Sequence, residues 1–109
     1  MARVTALVPD LLFGSNVQGA LRAAGHEVRL AGTADAIDPG DTDVLVVDLM
    51  ADGVDPAALA RLGPRTLGFF AHVEPEVRAR AVAAGFDLVV PRSRMHREGA
   101  ALVAKLAAG

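Results

Sequence analysis

The chain alternates short runs of branched apolar residues with longer stretches in which apolar residues recur every three or four positions. Short runs predict buried strands, and the longer spacing predicts amphipathic helices. The clearest strand is Val44–Asp48, because its four consecutive apolar residues are typical of a strand covered on both faces. The pattern predicts about five repeats of strand and helix in a single domain that spans residues 1–109.

The predicted strands cover 3–8, 27–30, 44–48, 66–70 and 87–90, and the predicted helices cover about 13–24, 56–62, 75–84 and 94–108. The second strand alternates charged and apolar residues, which predicts a position at the edge of the sheet. The connection after it contains Asp38-Pro39-Gly40, so any helix there should be short or irregular. Alternating strands and helices predict a three-layer αβα sandwich with a doubly wound parallel sheet.

Composition argues against several classes of partner. The net charge of -2 disfavours broad electrostatic binding to nucleic acid or anionic lipid, and four Phe without Trp or Tyr provide little surface for base stacking. Zero cysteines exclude disulfides and thiolate metal sites. No apolar run approaches the length of a membrane span, and no leader pattern opens the chain. We expect a cytoplasmic protein, a monomer or weak homodimer, that binds neither nucleic acid nor membrane.

Two acidic residues stand at predicted strand ends, where open parallel sheets bind ligands. Asp48 closes the clearest strand, and Asp10 follows the first strand. Each has a simpler interpretation. Asp48 could cap the turn after its strand through its own backbone, and Asp10 could stabilise the first turn of the following helix.

Three stretches resemble motifs of response-regulator receiver domains. Val8-Pro9-Asp10 lies where receivers place an acidic pair, Asp48-Leu49-Met50 resembles the phosphoacceptor Asp and the residues after it, and Ala83–Asp87 resembles the turn before strand five. Over its whole length the chain resembles a chemotaxis-regulator-like receiver. The resemblance implies a flavodoxin-like fold with strand order 2-1-3-4-5.

The resemblance also implies a function in a two-component phosphorelay. In this family the strand-three Asp takes a phosphoryl group from a histidine kinase or phosphotransfer protein, and Mg²⁺ is held by acidic residues and a backbone carbonyl. Carried over to this chain, Asp48 is the candidate phosphoacceptor, and Asp10, Asp48 and the carbonyl of Met50 are the candidate Mg²⁺ ligands. Arg92 is the candidate anion-binding cation, in place of the family's Lys.

The chain also departs from the family pattern. Pro9 replaces the second acid, so Mg²⁺ binding should be weak. The position after strand four carries Phe70 or Ala71 instead of Ser or Thr, and Arg92-Ser93 replaces Lys-Pro. An active receiver and a phosphorylation-independent pseudo-receiver that acts as a protein interaction domain therefore both stay open.

A small flavodoxin-fold enzyme that uses Asp10, Asp48 and His72 is a third hypothesis. No combination of nucleophile, base and orienting residue can be read from the spacing, so we expect no enzymatic activity.

Two surface features admit two interpretations each. We expect Leu11 and Leu12 to be buried in the first turn of an amphipathic helix, the alternative being an apolar contact surface. The basic cluster from Arg92 to Arg97 is most simply a solvated face, the alternative being a site for an anion or an acidic partner.

Overall fold

A computed structural model describes residues 2–71 and 75–109. The strands are β1 (Arg3–Leu7), β2 (Glu27–Ala31), β3 (Val44–Asp48), β4 (Arg65–Phe70) and β5 (Leu88–Pro91); the helices are α1 (Leu11–Ala23), α2 (Pro56–Ala60), α3 (Pro75–Ala83) and α4 (Arg92–Ala108). Two single-turn 3₁₀ helices, Ala34–Ala36 and Pro39–Asp41, take the place of a regular helix between β2 and β3, as predicted. Within these described ranges, no helix is both long and apolar enough to cross a membrane.

The five strands form one parallel sheet in the order β2-β1-β3-β4-β5. This order confirms the predicted fold class and the edge position of β2. Leu7 pairs with Val47, and Phe70 pairs with Pro91, so the strands end at nearly the same level. We call this end of the sheet the carboxyl edge, formed by 8–10, 48–50, 70–71 and 91–92, and the opposite end the amino edge.

The core consists of two layers, one on each face of the sheet. Val44 and Val46 pack on the side covered by α1 and α4, whereas Leu45 and Val47 pack on the side covered by α2 and α3. All four side chains are fully buried. Burial of such a side chain stabilises the fold by about 1.5–3 kcal/mol, so β3 anchors both layers as its sequence predicts.

Gly68 lies in β4 where two side chains approach the backbone closely. A Cβ atom at this position would lie 2.8 Å from Leu49 Cδ1 and 3.0 Å from the Phe86 ring. Neither neighbour can retreat easily, because both are buried in the layer under α2 and α3. A side chain at position 68 would therefore force the side chains of Leu49 and Phe86 to shift.

Candidate functional site

The carboxyl edge brings the predicted site residues to one end of the molecule. Asp10 follows β1, Asp48 ends the neighbouring strand β3, and Met50 lies two residues beyond it. Arg92 follows β5, but it is already the first residue of α4, which begins two residues earlier than predicted. The shared edge follows from the parallel topology, whereas the roles of these residues stay predictions.

Asp10 is the N-cap of α1. Its Oδ1 accepts a hydrogen bond from the Phe13 N–H at 3.1 Å, and its Oδ2 lies 3.6 Å from Nη2 of Arg92. The Phe13 N–H lowers the pKa of Asp10 most strongly, burial raises it by less, and the Leu12 N–H and the Arg92 guanidinium each lower it a little further. Asp10 is thus a carboxylate at neutral pH, and the helix-capping interpretation is confirmed.

Asp48 is half-buried and bonds to its own turn. Its Oδ1 accepts a hydrogen bond from the N–H of Met50 at 2.9 Å. Within residues 2–71 and 75–109, Asp48 takes part in no ion pair. The turn-capping interpretation is therefore also confirmed, and among the described residues no hydrogen bond reaches the other carboxylate oxygen.

Arg92 packs against α1 with its charge and with its flat face. The guanidinium carbon lies 3.9 Å from the centroid of the Phe13 ring, in addition to the ion pair with Asp10. Phe13 in turn packs on Phe69 of β4, with ring centroids 5.1 Å apart. The stack joins α4, α1 and β4, and it combines cation–π and aromatic contacts. Phe13 was not predicted to take part in the site, although an aromatic residue three positions after Asp10 is a visible signal.

The part of the edge formed by β4 and β5 is apolar. Phe70, which ends β4, is buried, and it pairs with Pro91, which has no backbone N–H to donate. Ala71 follows and offers no hydroxyl. The side chains of Phe70, Ala71 and Pro91 therefore supply no donor for an anion, and Arg92 is the first cation after β5.

The expected burial of Leu11 and Leu12 is wrong. Their exposed fractions are 82% and 75%, whereas Phe13, Gly14 and Val17 of the same helix are buried. Because α1 begins at Leu11, its inward-facing arc starts at Phe13, and the two leucines point away from the sheet. We call this exposed pair the apolar lip, and it borders Asp10.

The carboxyl edge is a poor match for a divalent metal ion. In the described part of the chain, no group of three or more His, Cys, Asp or Glu residues is placed to hold one. Mg²⁺ requires near-octahedral oxygen ligands, and of the two carboxylates here Asp10 already faces the Arg92 cation. The carbonyl of Met50 adds at most one ligand. His72, the residue of the enzyme hypothesis, lies outside the described residues.

No protein-family model matches the chain, and no curated protein sequence matches it. Solved structures do match. The signal receiver domain of NarL from Mycobacterium tuberculosis is 26% identical, with a TM-score of 0.80 over 99% of this chain and 97% of that one. A response regulator from Thermotoga maritima is 15% identical, with a TM-score of 0.81 over 100% and 99%. A response regulator receiver domain protein from Clostridium thermocellum is 11% identical, with a TM-score of 0.85 over 98% and 94%.

The fold and these similarities define the class of protein. The five-stranded parallel sheet in the order 2-1-3-4-5 with helices on both faces is the flavodoxin-like fold of receiver domains. The chain resembles response-regulator receiver domains of two-component systems over essentially its full length. The family resemblance predicted from Asp10, Asp48 and 83–87 is confirmed.

Proposed function

We propose that this chain is a receiver-type signalling module that acts through protein contacts and does not require phosphorylation of Asp48. The observation that carries the proposal is the position of Arg92. Phosphoryl transfer to a carboxylate needs a divalent ion and a further cation to neutralise the phosphoryl oxygens. Here the Arg92 guanidinium contacts Asp10 and the ring of Phe13, so its charge stabilises the start of α1 instead of a phosphoryl group.

The end of β4 supports the same proposal. A receiver that responds to phosphorylation needs a hydroxyl there to bond the phosphoryl group, according to the family pattern. Phe70 and Ala71 supply none, and Phe70 is buried in place. A phosphoryl group on Asp48 would therefore lack the partner through which it changes the structure.

A second candidate is a receiver that is phosphorylated at Asp48 by a histidine kinase or phosphotransfer protein. The half-exposed carboxylate at the end of β3 favours it, since among the described residues only one of its oxygens accepts a hydrogen bond. This candidate requires Mg²⁺ binding with fewer acidic ligands than the family uses. We propose no enzymatic activity for either candidate. The lack of cysteine and the receiver fold support a cytoplasmic location.

An NMR titration separates the two candidates. The protein is titrated with Mg²⁺ and then with beryllofluoride, which mimics a phosphoryl group, and Asp48→Asn is treated in the same way. The proposal predicts no saturable shifts at millimolar Mg²⁺ and no response to beryllofluoride. Saturable shifts around Asp10, Asp48 and Arg92 that disappear in Asp48→Asn would establish the second candidate instead.

A further inference from the structure

We infer that Arg92 is an internal counter-ion that occupies the carboxylate of Asp10 and keeps divalent cations away from the carboxyl edge. The inference rests on the proposed function, because it explains why the edge of a receiver-type module would hold no metal. It assigns Arg92 a role in cation specificity that differs from its predicted role as an anion-binding residue.

Each oxygen of the Asp10 carboxylate already has a partner, and 49% of the side chain stays exposed. One oxygen accepts the Phe13 N–H, and the other faces the Arg92 guanidinium. A metal ion at Asp10 would have to compete with a positive charge that is already in place. Since like charges repel, Arg92 in this position weakens the binding of a divalent ion to Asp10.

The stack on Phe13 makes displacement of Arg92 costly. The guanidinium lies flat on a ring that is itself buried against Phe69, and the Arg92 side chain is only 39% exposed. Displacing Arg92 would lose both the ion pair and the cation–π contact, and would expose the face of Phe13. A flexible, hydrated lysine would be easier to displace, because its charge is not planar and stacks less well.

Arg94 provides a control that the chain itself supplies. It lies two residues further along α4 and carries the same charge with similar exposure, 43% of its side chain against 39% for Arg92. Its Nε donates to Glu98 Oε2 at 3.3 Å, so this ion pair lies within α4 and does not involve Asp10. Loss of either arginine changes the net charge equally, and only Arg92 contacts Asp10.

The experiment compares divalent-ion affinity in the full chain and three variants. Mg²⁺ titrations followed by NMR, with line broadening by Mn²⁺ to locate the ion, are run on the wild type, Arg92→Gln, Arg94→Gln and the double variant Asp10→Asn/Arg92→Gln. We expect Arg92→Gln to bind at least about tenfold more tightly than the limit that the wild-type titration sets, with broadening centred on Asp10 and Asp48. Arg94→Gln should stay within about twofold of that limit, since exposed charges are well screened. The double variant Asp10→Asn/Arg92→Gln should lose this increase in divalent-ion affinity.

Two outcomes would overturn the inference. An equal gain in divalent-ion affinity in Arg92→Gln and Arg94→Gln would mean that only net charge matters. No gain in affinity in Arg92→Gln would mean that Arg92 does not keep divalent ions away from Asp10. Amide spectra of each variant establish that the fold is intact. The ratio between the two variants is independent of any beryllofluoride response in the wild type, so failure of this inference is distinguishable from failure of the proposed function.

Discussion

The two ends of the sheet hold their polar side chains in different ways. At the amino edge, Asp43 accepts hydrogen bonds from both the backbone and the side chain of Arg3, 40 residues away, and Asp87 accepts the Thr66 N–H across 21 residues. At the carboxyl edge, the hydrogen bonds of the two acids are local: Asp10 bonds three residues ahead, and Asp48 bonds two residues ahead.

This difference indicates that the amino edge contributes mainly to stability, whereas the carboxyl edge is suited to recognition of a partner. A hydrogen bond between distant residues ties one strand to another, whereas a local bond only shapes a turn. The amino edge therefore holds the strands together, whereas the local hydrogen bonds of Asp10 and Asp48 can be exchanged for bonds to a partner at little cost to the fold. The ion pair between Arg92 and Asp10 differs from these local bonds, because it joins residues that are far apart in the sequence.

The largest expected effect is at Asp87. Its carboxylate accepts the N–H and the hydroxyl of Thr66, at 2.8 Å and 3.2 Å, and Thr66 is buried. Asp87→Ala would leave these donors unpaired and should lower the free energy of unfolding by about 2 kcal/mol. Asp87→Asn keeps an acceptor and should recover more than half of the loss. Urea unfolding measures both, and an equal loss in Asp48→Ala would contradict the comparison between the two edges.

A smaller effect is expected at the buried hydroxyl pair of Thr5 and Thr42. The two hydroxyl oxygens are 2.8 Å apart, and Thr42 also donates to the Asp38 carbonyl. Thr42→Val should cost about 1 kcal/mol, because it leaves the Thr5 hydroxyl without its partner. The double variant Thr5→Val/Thr42→Val should cost less than the sum of the single ones. Strict additivity in chemical denaturation would show that the two hydroxyls do not interact.

The next smaller effect is expected from acid, which should destabilise the amino edge. Hydrogen bonds from Arg29 and from Arg3 lower the pKa of Asp41 and of Asp43 respectively. A lowered pKa contributes stability that is present above the ordinary Asp value of about 3.9 and is lost as the pH falls through the lowered value. The melting temperature should therefore fall as the pH drops below about 4.

Arg3→Gln tests the origin of that acid sensitivity. It should lower the melting temperature at pH 7 and flatten the decline below about pH 4, because the charged form of Asp43 then gains less from folding. Asp10→Asn at the carboxyl edge should change the acid decline less, although the pKa of Asp10 is also lowered. If the melting temperature of Arg3→Gln falls with pH in parallel to that of the wild type, the acid-sensitive groups are not the carboxylates that contact Arg3.

The smallest effect is expected at the apolar lip. Leu11→Ser/Leu12→Ser should change the free energy of unfolding by no more than about 0.5 kcal/mol, since both side chains are already exposed. Val17→Ser, on the buried face of the same helix, is the control and should be strongly destabilising. A large loss in the leucine variant, measured by urea unfolding, would mean that the lip packs against the protein.

The sequence predicts the fold better than it predicts the contacts at the site. The buried strand Val44–Asp48 carries its own signal, because each of its four apolar residues packs in a hydrophobic layer. Whether Leu11 lies inward or outward depends on the residue at which α1 begins, and helix ends are the least certain part of such a prediction. The contacts of Arg92 with Asp10 and Phe13 depend on how α4 docks on α1, which no local pattern encodes.

The most direct test of the central claim is chemical phosphorylation of Asp48. The protein is incubated with Mg²⁺ and acetyl phosphate, a small acyl phosphate donor, and its intact mass is measured beside that of Asp48→Asn and of an active receiver as a positive control. The account predicts an unmodified mass for the wild type under conditions that phosphorylate the control. One added phosphoryl group on the wild type that is missing from Asp48→Asn would contradict it.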